Sequence, residues 1–271
     1  MPWTNLHAAW LTKTNQKIKI STGKVVEVWE FAPKNNPKIL SAWAKHFRNH
    51  YCSDDLIDEL RDGTKLSRAE YLEQLVFPDK SKAPGPSIRA GDFAEILAAD
   101  YLEFILNYWV PRTRYEEKAV RNESVKGSDT IGFKFAADGN SANDTLAVFE
   151  SKAQFTGEKT LPRLQDAIDD SAKDILRRAE SLNAIKRRFL KEGDKASALK
   201  VQRFQSPEDN EYKKLFGAVA HWDEKLVDLG VIKACKDDNH PEAKNLMLVV
   251  IKGANMMKLV RELYQRAIDE A

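Results

Sequence analysis

An α/β fold, with a mixed central sheet flanked by helices, is what the sequence predicts, and three observations carry that expectation. The runs Leu146-Ala147-Val148-Phe149 and Leu246-Met247-Leu248-Val249-Val250-Ile251 are continuously apolar over strand length, as in strands covered on both faces. Apolar residues at helical spacing surround them: Phe93, Leu97 and Tyr101 in one stretch, Met256, Leu259, Val260, Leu263 and Ile268 in another. The resulting order of helix, a group of strands, helix, strand, strand and helix describes an α/β sandwich around a mixed sheet.

Composition frames that fold. At 271 residues the chain can bury roughly three quarters of its unfolded surface, so one large domain, alone or with an appendage, needs no disulfides. Charged residues make up 31%, which excludes disorder beside 42% hydrophobic residues and implies a highly charged surface. The net charge of +2 gives no global pull toward nucleic acid, so an anionic partner must be held by a local patch. Cys52 and Cys235 are too few for a disulfide framework and fit a reducing cytosol. The N-terminus lacks a basic flank with an apolar core, and no stretch approaches the ~18 apolar residues of a membrane span. A cytoplasmic protein with no membrane partner is expected.

Taken in order, residues 17–31 alternate around Ser21-Thr22-Gly23-Lys24 and read as a hairpin. Ile39, Leu40, Trp43, Phe47 and Tyr51 recur at helical spacing, and Ser53 is placed to cap a short acidic helix over 54–60. Ser67-Arg68-Ala69-Glu70 matches a capping box ahead of Tyr71, Leu72 and Leu75. Residues 77–86 hold three prolines and a glycine and cannot continue a helix. The boundary is placed there, with a smaller α+β region over residues 1–85 and the main domain over residues 86–271. The main domain opens with a helix over 87–107. Strands are expected near 108–115, 118–122 and 128–135, and Asp138-Gly139-Asn140-Ser141 turns the chain into the strand that ends near Lys152. A long helix or helix pair over 162–190, strands at 215–221 and 246–251, and a helix over 255–271 complete the chain.

Four residues break this apolar design. Side chains alternate along a strand, so Glu150 and Lys152 share a face with Leu146 and Val148 and put an acid and a base together at the end of a buried face. Asp129 shares its parity with Ile131, Phe133 and Phe135. Glu95 heads a helical row otherwise made of Ala98, Ala99, Leu102 and Leu106; Asp92 is the alternative helix acid, or only a partner of the helix dipole. Two carboxylates ~4 Å apart repel by about 4 kcal/mol at an effective dielectric near 20, so a fold that gathers them implies a cation in the gap. Phosphodiester hydrolysis needs stabilised charge on phosphate oxygens and an activated water, which Mg²⁺ or Mn²⁺ on hard oxygen ligands can supply. Lys152 is suited to hold the attacking water or to neutralise charge developing on phosphorus.

This order, with Glu95 on a helix, Asp129 on a hairpin strand and Glu150-x-Lys152 on the next strand, resembles the PD-(D/E)xK nuclease superfamily with its restriction-endonuclease-like fold. More narrowly, Gly91-Asp92-Phe93-Ala94-Glu95, Gly127-Ser128-Asp129-Thr130-Ile131-Gly132 and Phe149-Glu150-Ser151-Lys152-Ala153 look like the HamA nuclease subunits of the Hachiman antiphage system and the related Abp defence proteins. The resemblance covers about residues 86 to 271. It implies a DNA endonuclease in which Asp129, Glu150 and the Ser151 main-chain carbonyl bind metal, Glu95 assists through a water and Lys152 is the catalytic lysine. It also implies a separate helicase partner, HamB-like, that restrains the nuclease. The chain carries no Walker A motif, so an ATP motor would be another protein.

Other features have competing readings. Residues 173–203 carry ten lysines and arginines against four acids, a segment that either tracks a DNA backbone or is a solvated helix face. Gln165, early in the long helix, reads as an ordinary surface residue rather than a site glutamine. His46, His50 and Cys52 lack a fourth ligand nearby, which argues against structural zinc. Trp3, Trp10, Trp29 and Trp43 fall in the first fifty residues, where they are either core or an aromatic surface for a partner. The rival to a nuclease is a scaffold of the same fold that binds DNA or a helicase without cutting. A glycosidase, also built on paired carboxylates, leaves Lys152 without a role.

Overall fold

In a computed structural model that describes residues 4–116, 118–125 and 127–271, seven strands form one mixed sheet with helices on both faces. The strands are β1 (Leu11–Lys13), β2 (Ile18–Lys19), β3 (Val25–Phe31), β4 (Thr130–Lys134), β5 (Thr145–Gln154), β6 (Lys213–Asp223) and β7 (Leu246–Gly253). Their order is β1-β3-β7-β6-β5-β4, with β2 also paired to β3. β3, β7, β6 and β5 run parallel, while β4 closes one end antiparallel to β5 and β1 the other antiparallel to β3. The long apolar strands expected at β5 and β7 are therefore interior, and their continuous hydrophobicity follows from helices on both sides.

The helices are α1 (Pro37–Asn49), α2 (Ile57–Arg61), α3 (Arg68–Tyr71), α4 (Gly85–Asp100), α5 (Arg163–Lys191), α6 (Lys195–Gln202), α7 (Leu229–Ala234) and α8 (Met256–Asp269). One core joins α1, α4 and α8 to the sheet through Trp43, Phe47, Phe93, Leu97, Phe149, Val219 and Tyr264. The other joins α5, α6 and α7 to the opposite face through Val148, Leu164, Ile168, Val201, Phe216, Ile232 and Val250. Local signals match: Ser67 and Glu70 form the capping box, Asn36 caps α1 ahead of Pro37, and Gly139 takes the positive φ that the turn before β5 demands. Gly217 is required by contact, since a Cβ there would stand 2.5 Å from the ring of Phe149 on β5.

Two expectations need correction, and one open reading is resolved. Residues 108–115 and 118–122 are not strands: their only ladder contact among the described residues is an isolated bridge between Trp109 and Phe133. Asn107 and Arg112 take positive φ and Pro111 has no N–H, so the segment turns instead of extending, and its polar side chains point inward to buried acids. The boundary near residue 85 does not divide the sheet, because β3 pairs in parallel with β7 and Trp10, Phe31, Trp43 and Phe47 share a core with Phe93 and Tyr264. Trp10, Trp29 and Trp43 are core residues rather than a partner surface. Trp43 stacks on His7 and meets Phe31 and Phe93 edge-on, and Trp29 meets Tyr101. Trp3 lies outside the described residues.

His221, on β6, is fully buried, and neither ring nitrogen meets a partner among the described residues. Burial holds its pKa down to about 3, against 6.5 in a free side chain. Between those values the unfolded chain binds the proton and the folded chain does not, so stability falls as pH drops from 6.5 toward 3, by roughly 4 to 5 kcal/mol at the bottom of the window. Acid titrations of His221→Leu should show a shallower loss of stability over that range than the native chain; an identical slope would refute the assignment.

Candidate active site

The register of β4 on β5 builds the site. Thr130 pairs with Phe149, which sets Asp129, just before β4, across from Glu150. The Asp129 carboxylate accepts the Ser151 N–H at 3.0 Å. A strand residue presents its N–H and C=O to the same neighbour, so the Ser151 carbonyl faces the same open edge beyond the end of β4. Glu150 is buried, and its partner is Lys152 at 2.7 Å; the same ammonium reaches Asp170 of α5, also at 2.7 Å. Glu95 comes from α4 and is bound by Arg114 at 3.1 Å and by the Tyr115 hydroxyl. Arg114 also meets Asp129 at 2.9 Å and the carbonyls of Val125, Gly127 and Ser128, so one guanidinium stands between the two acids.

All four residues expected from the sequence line one cavity of about 670 Å³, with Arg114, Asp170 and Arg177 beside them. The acids are not fully gathered. Among the described residues no three of them bring ligand atoms within 4.8 Å of one another, and Arg114 is the reason for Glu95 and Asp129. Asp92, the alternative helix acid, is removed from the site by Lys118 and the Tyr51 hydroxyl, each at 2.7 Å.

Sequence reasoning missed Arg114, Asp170 and Asp174. Asp170, Asp174, Arg177 and Ser181 fall at helical spacing on one side of α5. Asp174 stands in its buried stripe of Leu164, Ala167, Ile168, Ser171 and Leu182, a charge where the pattern wants an apolar residue. That break in the stripe was the available signal. Asp174 is fully buried, Ser128 and Glu150 are the polar side chains that act on it, and its nearest cation among the described residues is Arg177 at 4.0 Å.

The crowding shows in the proton affinities. Burial, then the charge of Asp129, pushes the Glu150 carboxyl far above the usual glutamate range despite Lys152. Burial pushes Glu95 up to about 8 against the pull of Arg114, with Asp129 adding to the rise. Asp174 rises to about 6 through burial and the charge of Asp129. Burial works against the charge on Lys152 and Arg114, but their acidic neighbours hold both above the ordinary range. Acids drawn toward one cavity against their mutual repulsion fit a hard divalent cation, and an all-oxygen donor set fits Mg²⁺ or Mn²⁺ rather than zinc.

A second polar cluster lies apart. His7, His46 and Asp100 bring ligand atoms within 4.8 Å of one another, all buried. Asp100 is already met by His7 at 2.7 Å, His46 at 3.0 Å and Arg112 at 2.7 Å, and Arg112 reaches His50 at 2.8 Å. The arginine answers the charge of the acid, so this is a structural network. Cys52 lies elsewhere, near Asp54 and Glu116. Gln165 ties the start of α5 to the main chain of Lys236 and does not reach the site. Within the basic segment, Arg188 and Arg203 pair with Glu116 and Asp144, while Arg177 lines the cavity.

Fold and site together define an α/β protein with a buried acidic centre and a paired lysine at the open end of a mixed sheet. A family model matches residues 5–267, and the chain belongs to the HamA family, a family of antiphage defence. The curated proteins contain no match to it. No helix among the described residues is long and apolar enough to cross a membrane.

Proposed function

We propose that the chain is a divalent-cation-dependent DNA endonuclease of the PD-(D/E)xK type, the effector of an antiphage complex controlled by a separate helicase. One observation carries the reading: Asp129 and Glu150 stand across from each other at the end of β4 and β5, and Lys152 lies on the same face. Asp129, Glu150 and the Ser151 carbonyl would hold Mg²⁺ or Mn²⁺, with Glu95 reaching it through a water. Such a cation supplies charge for the phosphate oxygens and acidifies a water. The protein's own part is positioning. Lys152 has three donors, spends one on Glu150 and one on Asp170, and keeps one for a phosphate oxygen. Arg177, half exposed at the cavity, is placed to meet the flanking phosphate.

A non-cutting scaffold is favoured by a single observation, that Arg114 already balances Glu95 and Asp129 without a cation. Supercoiled plasmid with Mg²⁺ or Mn²⁺ separates the two. Nicked and linear products from the native chain, lost in folded Glu150→Ala, support the nuclease. Identical products from both proteins, or none from either in the presence of the helicase, support the scaffold.

A further inference from the structure

We propose that a hollow beside the acidic cavity receives one unpaired nucleobase of the DNA strand, so that the chain acts on single-stranded or locally opened DNA rather than on intact duplex. This rests on the nuclease reading and names its substrate class. The hollow measures about 320 Å³, and Glu95, Arg114 and Asp129 line both it and the acidic cavity, so the two spaces meet at the site acids. The fold leaves it there for a definite reason. β4 is the last strand of the sheet, and among the described residues the 108–115 segment joins its edge only at the Trp109 bridge to Phe133. Pro111 and the positive φ of Arg112 then turn the chain, and α4 and α5, which cover opposite faces of the sheet, both border the space beside Ile131.

Most of the wall is apolar: Ile96 and Ala99 come from α4, Val110 and Pro111 from the turning segment, Ile131 from β4 and Ile185 from α5. Thr113 and Ser181 add hydroxyls. Such a wall disfavours a charged group and suits a flat ring with apolar faces and a polar edge. A cavity of about 150 Å³ already takes a benzene-sized ring, so the space is sufficient for a base. In duplex DNA a base is stacked and paired, and it enters a pocket only once it is unpaired or turned out of the helix. With the scissile phosphate at Asp129, Glu150 and Lys152, the base of the adjoining nucleotide is the group that the shared wall sets beside the hollow. Supercoiled plasmid, which opens locally, remains a substrate.

Cleavage of three end-labelled substrates by the full-length chain with Mn²⁺ tests this: a single strand, the same strand fully paired, and the same strand with its bases replaced by stable abasic residues. The single strand should be cut about tenfold or more faster than either of the others. Ala99→Leu and Ile185→Phe narrow the hollow from its two helices and leave Asp129, Glu150 and Lys152 untouched. Each should erase the advantage of the intact strand while cutting the abasic strand at the native rate, a split that general damage to the fold would not produce. If neither variant folds, the native chain's ratio of intact to abasic cleavage decides. Equal native rates on intact and abasic strands, or a preference that survives in a folded variant, would overturn the inference and leave the nuclease reading standing. If the native chain cuts none of the three, alone or with the helicase, both fall.

Discussion

Replacing Lys152 with methionine is expected to lower the rate of DNA cleavage by about 10² to 10³ while leaving Mn²⁺ affinity unchanged or tighter. The split follows from the two carboxylates that Lys152 neutralises. Glu150 and Asp170 each lie 2.7 Å from the ammonium, so its removal makes the site more negative and a better host for a cation. What the variant loses is the donor for charge that develops on phosphate. Lys152→Arg should not restore the rate, because a planar fork does not reproduce a point ammonium between two acids. Single-turnover cleavage rates set beside Mn²⁺ isotherms check this. Rate and affinity falling together would place Lys152 in the architecture of the site instead of in its chemistry.

The second large effect is on stability. Arg114→Ala leaves Glu95 and Asp129, both largely buried, without the guanidinium that joins them. Breaking a buried pair by removing one partner costs about 3 to 5 kcal/mol. The metal-free variant should therefore unfold at distinctly lower denaturant concentration than the native chain. Because a divalent cation offers the same acids another counter-charge, Mg²⁺ or Mn²⁺ should raise the midpoint of the variant more than that of the native chain. A variant as stable as the native chain, or one indifferent to cations, would show that Arg114 does not stand in for an ion.

The parts of this site that sequence made legible are those fixed by local periodicity. Glu150 and Lys152 had to share a face of β5, and the turn at Asp138-Gly139-Asn140-Ser141 brought the Asp129 strand back beside it. The parts it hid depend on contacts between distant elements. Arg114 lies in a segment whose apolar content suggested a strand, and only positive φ at Asn107 and Arg112 and the missing N–H of Pro111 turn it inward. Asp174 was hidden within a segment read as a band of cations, although its place in the buried stripe of α5 marked it. The parallel pairing of β3 with β7 was invisible for the same reason: a hairpin declares its partner through a short turn, and a parallel neighbour has no such signal.

The central claim is that the open end of β4 and β5 seats a hard cation. A crystal of the full chain soaked in Mn²⁺ and measured for anomalous scattering tests it directly. A peak about 2.1 Å from oxygens of Asp129 and Glu150 is the expected result. No peak there at saturating Mn²⁺, or a peak only among His7, His46 and Asp100, would contradict it.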